Sequence, residues 1–296
     1  MAAKKPATLD VVSTAKLLGL GEVDVKPAAE DERFHSVTTI IGALDKPALM
    51  YWAAEQTAEL AVSVARSLPH RVEEEGHDAV VKWLRDARFR PPKGRKSASE
   101  LGTAVHDACE KYAITGIRPE VDDPEVEPFL DRFDEWAQKW QPEYLAAEAA
   151  VYNLKYRYAG TLDAIAIIDG ATVLLDYKSS RKSLDSQGKP TKPYPEVGLQ
   201  LAAYQNAEIM AVWRARRFES YRRRYYLLSP DEKVEGIEMP KVDGAMALHL
   251  TPEHADLYPI DTSDKVFESF LYTIEIFRWT NTTQKGVVGP ALTKGN

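Results

Sequence analysis

Between two apolar runs, Gly160–Ile168 and Ala171–Lys178, stands the dipeptide Asp169-Gly170. A two-residue Asp-Gly connection takes positive φ readily and matches the twist of flanking strands, which makes it a strong local signal for a tight antiparallel hairpin. Such a turn dictates register: residue 168 pairs with 171, and counting back along both strands sets Asp163 directly opposite Asp176. Lys178, two positions beyond Asp176, projects from the same sheet face. Directly opposed side chains have β-carbons only ~4.5–5.5 Å apart, where two like charges destabilise a sheet. A divalent cation reverses the sign of that interaction, because hard cations take carboxylate oxygens. The structural alternative is a pair of strand-end acids with Lys178 as their neutralising partner.

Around this hairpin the apolar period changes once. Up to Pro142 it is helical: Leu44–Arg66, residues 70–90, and residues 125–140 with Phe129, Phe133, Trp136 and Trp140. Ser97-x-x-Glu100 is a capping-box pattern that opens a further helix to about Tyr112. Ser36–Ile41 reads as a short extended or helix-entry segment. After Pro142 the chain turns extended, with Ala149–Tyr158 preceding the hairpin strands. Pro195 then opens a helix to about Arg214, followed by strand-like Arg224–Leu228 and Ala245–Leu250. Thr262-Ser263-Asp264 caps a last helix to about Trp279. The expected fold is α/β, a central mixed β-sheet with flanking helices and a helical N-terminal portion. It forms one domain over residues 33–280, mainly helical over 33–142 and sheet-based over 143–280. Residues 1–32 and 281–296 read as a flexible extension and tail.

The 296 residues carry 38 Lys+Arg against 45 Asp+Glu, a net charge of −7 that taken alone argues against a nucleic-acid partner. The charge is uneven, however. Lys82–Lys96 holds seven basic residues and one acidic one, and Lys178–Arg224 holds eleven and four, leaving about −20 on the rest. Phosphate binding depends on local rather than net charge, so two basic blocks in an acidic chain point towards a polyanion. The single cysteine, Cys109, excludes an internal disulfide framework and four-cysteine zinc or iron–sulfur sites within one chain. No apolar run approaches the ~20 residues of a membrane helix, so no membrane partner is expected. The first residues lack a signal-peptide apolar core, and a cytoplasmic protein is the expectation.

Gly160-Thr-Leu-Asp163, followed after twelve residues by Asp176-Tyr177-Lys178, resembles the signature of the PD-(D/E)XK nucleases. Within them the chain is most similar to the RecB-like exonuclease branch. Gly102-Thr-Ala-Val-His106 resembles that branch's upstream histidine motif, and Gln200-Leu-Ala-Ala-Tyr204 its downstream Gln-x-x-x-Tyr motif. Ser36–Ile41 with Leu49-x-x-Trp52 is similar to the N-terminal pattern of phage relatives and of the mitochondrial genome maintenance exonucleases. The likeness runs in order over roughly residues 34–280. It departs from the pattern at Leu162, where a proline is usual, and in lacking the cluster cysteines of some relatives.

The resemblance implies a restriction-endonuclease-like core and a phosphodiester hydrolase, most simply an exonuclease processing DNA ends in recombination, replication or repair. The phage likeness adds a bacterial host as the setting. Asp163 and Asp176 would hold Mg²⁺ or Mn²⁺ with the Tyr177 carbonyl, His106 would be a further ligand, and no iron–sulfur cluster is expected. Lys178 would position or activate the attacking water or stabilise charge on the phosphate. Gln200 and Tyr204, four apart on one helix face, would touch the DNA backbone or orient the lysine. Glu148 is a secondary site residue. Arg181, Lys182, Lys189, Lys192 and the arginines from Arg214 to Arg224 would track DNA phosphates, with Tyr194 and Trp213 available to stack on single-stranded bases. Cys109 is read as a buried, inert thiol. Two other readings stand beside this one: an endonuclease of restriction or structure-selective type, and a catalytically inactive DNA-binding subunit.

Overall fold

The computed structural model describes residues 22–25, 34–45, 47–87, 96–185, 187–211 and 234–289. In chain order its elements are β1 (Glu22–Val25), β2 (His35–Ser36), α1 (Val37–Ile41), α2 (Pro47–Ser63), α3 (Leu68–Glu75), α4 (His77–Ala87), α5 (Ala98–Thr115) and α6 (Glu127–Trp140). There follow β3 (Glu143–Asn153), β4 (Tyr158–Ile168), β5 (Ala171–Ser179), α7 (Glu196–Gln205), β6 (Ile209–Ala211), β7 (Val234–Glu238), β8 (Gly244–Leu250), β9 (Ala255–Ile260) and α8 (Asp264–Asn281). Two compact units result, one of residues 45–103 and one built on the sheet.

The smaller unit is helical. Its expected single helix over residues 70–90 is broken into α3 and α4 by Gly76, whose φ of 85° an ordinary side chain resists. Arg71 of α3 lays its guanidinium over the Trp83 ring of α4, 4.1 Å from the centroid. The capping box forms as the sequence predicts: Ser97 N–H donates to Glu100 Oε2 at 2.7 Å, and Glu100 N–H to Ser97 Oγ at 3.2 Å.

The larger unit is α/β, with strand order β1-β7-β6-β3-β4-β5-β8-β9 and β2 alongside β4. β3, β4 and β5 form an antiparallel meander, and β8 joins β5 in parallel, so the sheet is mixed. Asp169 and Gly170 take φ of 49° and 81°, and the register they impose runs from Ile168↔Ala171 to Ala164↔Leu175 as the turn requires. β3 starts at Glu143 rather than Ala149 and ends at Asn153, with a turn over residues 154–157 before β4. α7 stops at Gln205 instead of near Arg214. Ile209–Ala211 is drawn into the sheet beside Val151 and Tyr152, where all three of its residues are buried. Trp213 and the segment Arg224–Leu228 lie outside the described residues. Residues 22–25, within the stretch read as an extension, pair with β7.

Side chains alternate across the sheet. Leu174 belongs to the core shared with Ile40 of α1, Val197 and Leu201 of α7, and Phe270, Ile274 and Phe277 of α8. Tyr177, three residues on and therefore on the other face, meets Phe133 of α6 edge-on at 5.7 Å. Among the described residues no helix is long and apolar enough to cross a membrane.

Candidate active site

The paired ladder of β4 and β5 ends at Ala164↔Leu175, one pair short of Asp163 and Asp176. Beyond it β4 stays with β3 as far as Tyr158, while β5 stays with β8 as far as Ser179. In the fork that opens, the Asp163 carboxylate takes over the ladder's role: its Oδ2 accepts the Tyr177 N–H at 2.6 Å. A strand interrupted this way exposes its remaining polar groups to whatever enters the gap.

His106, Glu148 and Asp163 meet there, each offering a ligand atom within 4.8 Å of the others, a group able to hold a metal ion. α5 brings His106, whose Nδ1 lies 3.5 Å from Asp163 Oδ2. β3 brings Glu148 by two devices invisible in a hydropathy pattern. An extra residue bulges the strand between Tyr144 and Ala146, and Glu148 itself adopts φ = 46°. With Ala147 opposite Ala164 and Ala149 opposite Leu162, Glu148 stands across from Asp163. A left-handed glutamate within a strand is a strained conformation of the kind that collects at functional sites.

The electrostatics are those of acids crowded together with too little positive charge. Burial, then the Asp163 and Glu110 carboxylates, push Glu148 up to about 8. Burial works against the His106 cation, yet Asp163 outweighs it and raises the imidazole to about 9. Burial likewise opposes the Asp163 carboxylate, but His106, Lys178 and the Tyr177 N–H together hold it below the ordinary range. Glu110, one helical turn from His106 on α5, is itself raised by burial and then by Asp107. Its i+4 spacing from His106 was the only available sequence signal for it.

Asp176 stands on the lysine side of the fork. It is 1% exposed; Lys178 Nζ meets its Oδ2 at 2.6 Å, and its Oδ1 has no hydrogen-bond donor. Burial, with Asp163 adding to it against the pull of Lys178, raises Asp176 to about 6. A sealed oxygen without a donor is costly unless a cation joins it, and Lys178 meets only one of the pair, so the donor chemistry of the fork fits a divalent ion. Lys178 loses some basicity to burial but gains more from Asp176 and Asp163, and is held above its ordinary value as an ammonium.

A short relay steadies that ammonium. Lys178 Nζ donates to Gln200 Oε1 at 3.3 Å, and Gln200 Nε2 donates to Tyr204 Oη at 3.3 Å. Tyr204 is 2% exposed, so it orients Gln200 and is closed off from any bound polymer. Its ring lies flat against the chain at Gly160, where a β-carbon would come within 2.4 Å of Tyr204 Cε1. Gly160→Ala must therefore displace a buried ring, and is expected to destabilise the fold by ~1–3 kcal/mol in thermal denaturation. An unchanged melting temperature would show that Tyr204 gives way freely.

The other expected site residues are placed differently. The Tyr177 side chain is buried, packing edge-on to His106 at 5.9 Å. Arg181 is engaged by Glu125, Nη2 to Oε2 at 2.5 Å. Lys182, Lys189 and Lys192 are exposed, and Tyr194 is 73% exposed. The loop that carries them is tied down: Asp185 Oδ1 accepts from the N–H groups of Gln187 and Lys189, and Thr191 Oγ1 donates to the Lys182 carbonyl. Cys109 is buried, and burial then Asp163 drive its thiol well above the usual range, which makes it inert. The arginines from Arg214 to Arg224 lie outside the described residues.

Fold and site together define an α/β protein with a mixed sheet and an acid–histidine–lysine centre at a strand fork. Comparison of the chain with protein-family models and with curated proteins returns no match.

Proposed function

We propose that the protein is a Mg²⁺- or Mn²⁺-dependent DNA nuclease of the PD-(D/E)XK, RecB-like type, acting as an exonuclease on DNA ends. The observation that carries this reading is Asp176: a buried carboxylate whose Oδ2 pairs with Lys178 and whose Oδ1 has no donor, beside the His106–Glu148–Asp163 group. His106, Glu148 and Asp163 would hold the ion, and Asp176 adds acceptor oxygens on its lysine side. One imidazole among carboxylates suits Mn²⁺ at least as well as Mg²⁺. When bound, the ion supplies Lewis-acid polarisation of a phosphoryl oxygen and lowers the pKa of water.

The chain's own contribution is electrostatic and positional. Lys178, kept protonated by its two aspartates and aimed by Gln200, stabilises the negative charge that grows on the phosphate. Its raised basicity favours that role over proton abstraction. Lys182, Lys189 and Lys192 on the tied loop offer sequence-independent contacts to backbone phosphates, and Tyr194 an exposed ring for an unpaired base.

The test is digestion of end-labelled linear single- and double-stranded DNA with Mg²⁺ or Mn²⁺. Stepwise nucleotide release is expected, with a covalently closed single-stranded circle left intact. Cutting of the circle would replace the exonuclease by an endonuclease, and no cleavage of any DNA with either ion would sink the assignment.

A further inference from the structure

Away from the fork, a cavity of about 450 Å³ is lined by Tyr112, Gly116, Ala137, Gln138, Gln141, Pro142 and Tyr144. That volume suits a small molecule. Its composition follows from its place, the junction where α5 and α6 both end. Gly116, at φ = 65°, follows the last turn of α5, and Gln141, at φ = 48°, follows that of α6. Each turn closes with one bond, Gly116 N–H to the Tyr112 carbonyl and Gln141 N–H to that of Ala137. The carbonyls that follow in each helix have no partner within it. Two helix C-termini thus end at one cavity, each equivalent to roughly −0.5 of a charge.

The side chains add to that sign. Gln138 Nε2 donates one of its hydrogens to Asp134 Oδ2 at 2.8 Å, which sets a carboxylate behind the amide and leaves its oxygen free to accept from a guest. Burial, then Asp134, hold the Tyr112 hydroxyl above its ordinary value, so it remains a neutral phenol. Tyr112 and Tyr144 give the cavity aromatic walls, whose ring faces attract cations. None of the lining residues is cationic; Lys111 and Lys139, in the last turns of the two helices, are exposed and stand outside the lining. Tyr144 also joins the cavity to the fork, since its hydroxyl accepts from Tyr177 Oη at 3.4 Å, next in sequence to Asp176 and Lys178.

We propose that this cavity binds a small organic cation of the guanidinium or alkylammonium class. Acceptor carbonyls, an amide oxygen, aromatic walls and a nearby carboxylate recognise such an ion, and no group in the lining competes with it. The site is independent of the nuclease reading. Calorimetric titration of the full chain at low salt with butylguanidinium is expected to show binding that butylurea, a neutral molecule of similar shape, does not reproduce. Asp134→Asn, at a partly exposed position that leaves the fold intact, and Tyr112→Leu should each weaken binding roughly five-fold. Equal binding of butylurea, no binding of butylguanidinium, or indifference to Asp134→Asn would each overturn the proposal.

Discussion

Lys178→Ala is expected to lower the rate of metal-dependent DNA hydrolysis by ~10³-fold while leaving Mn²⁺ affinity nearly unchanged. The lysine contributes no ligand atom, and its removal takes away the cation paired to Asp176. Asp163→Asn should behave differently and lose both rate and metal. Asp163 belongs to the ligand group, and it also accepts the Tyr177 N–H that replaces a ladder bond. Single-turnover cleavage beside a Mn²⁺ titration separates the two outcomes. A Lys178→Ala protein with wild-type rate would remove the lysine from the chemistry, and one that loses Mn²⁺ would make it part of the metal site.

Metal and pH should act on stability through the same groups, and in opposite directions. His106 is raised to about 9, so its stabilisation is complete below its ordinary value of 6.5 and lost as pH rises through 9. Glu148 and Asp176, raised to about 8 and about 6, ionise in the fold only at a cost that grows as pH climbs above their ordinary values. All three therefore make the metal-free protein less stable as pH increases, by ~3 kcal/mol between pH 6 and 9 from His106 alone. Asp163, held low, has the opposite sign, but its stabilisation is lost only as pH falls below the ordinary carboxylate range. Metal ligands must be deprotonated, so Mn²⁺ affinity grows over the same interval and offsets the loss. Denaturant titrations at pH 6, 7.5 and 9, with a chelator or with Mn²⁺, should diverge steadily as pH rises. Glu148→Gln should flatten the metal-free slope and weaken Mn²⁺ binding. Parallel slopes with and without the ion would mean that these groups are not its ligands.

Much of the fork is local chemistry, and therefore readable along the chain. Asp169-Gly170 dictates a turn of one kind, and strand alternation carries its register back as far as Ala164 and Leu175, one pair short of Asp163 and Asp176. The Ser97–Glu100 capping box is equally local. Gly76 breaks a helix that the apolar pattern alone would continue, because a single backbone angle overrides the period. α7 ends early for a different reason: Ile209–Ala211 is buried more completely between strands than at the end of a helix, and no local pattern competes with that.

The residues least legible in the sequence are those whose surroundings come from distant segments. Glu148 reads from the sequence as a secondary site residue, and joins the group able to hold a metal only through a bulge and a left-handed backbone. Arg181 looked like a phosphate contact until the chain brings Glu125 to it across 56 positions of sequence. Tyr204, by its spacing from Gln200, allows either a contact to DNA or an aid to the lysine, and its packing on Gly160 buries it. Spacing along one hairpin is enough to bring two aspartates and a lysine to the same end of it, because turn geometry and a period of two act over a few residues. The opening of that hairpin into a fork, the entry of His106 and Glu148 into it, and the junction of two helix ends in one cavity depend on pairings and packings between segments far apart in the chain. Those are decided by the burial of the whole sheet, and no local pattern encodes them.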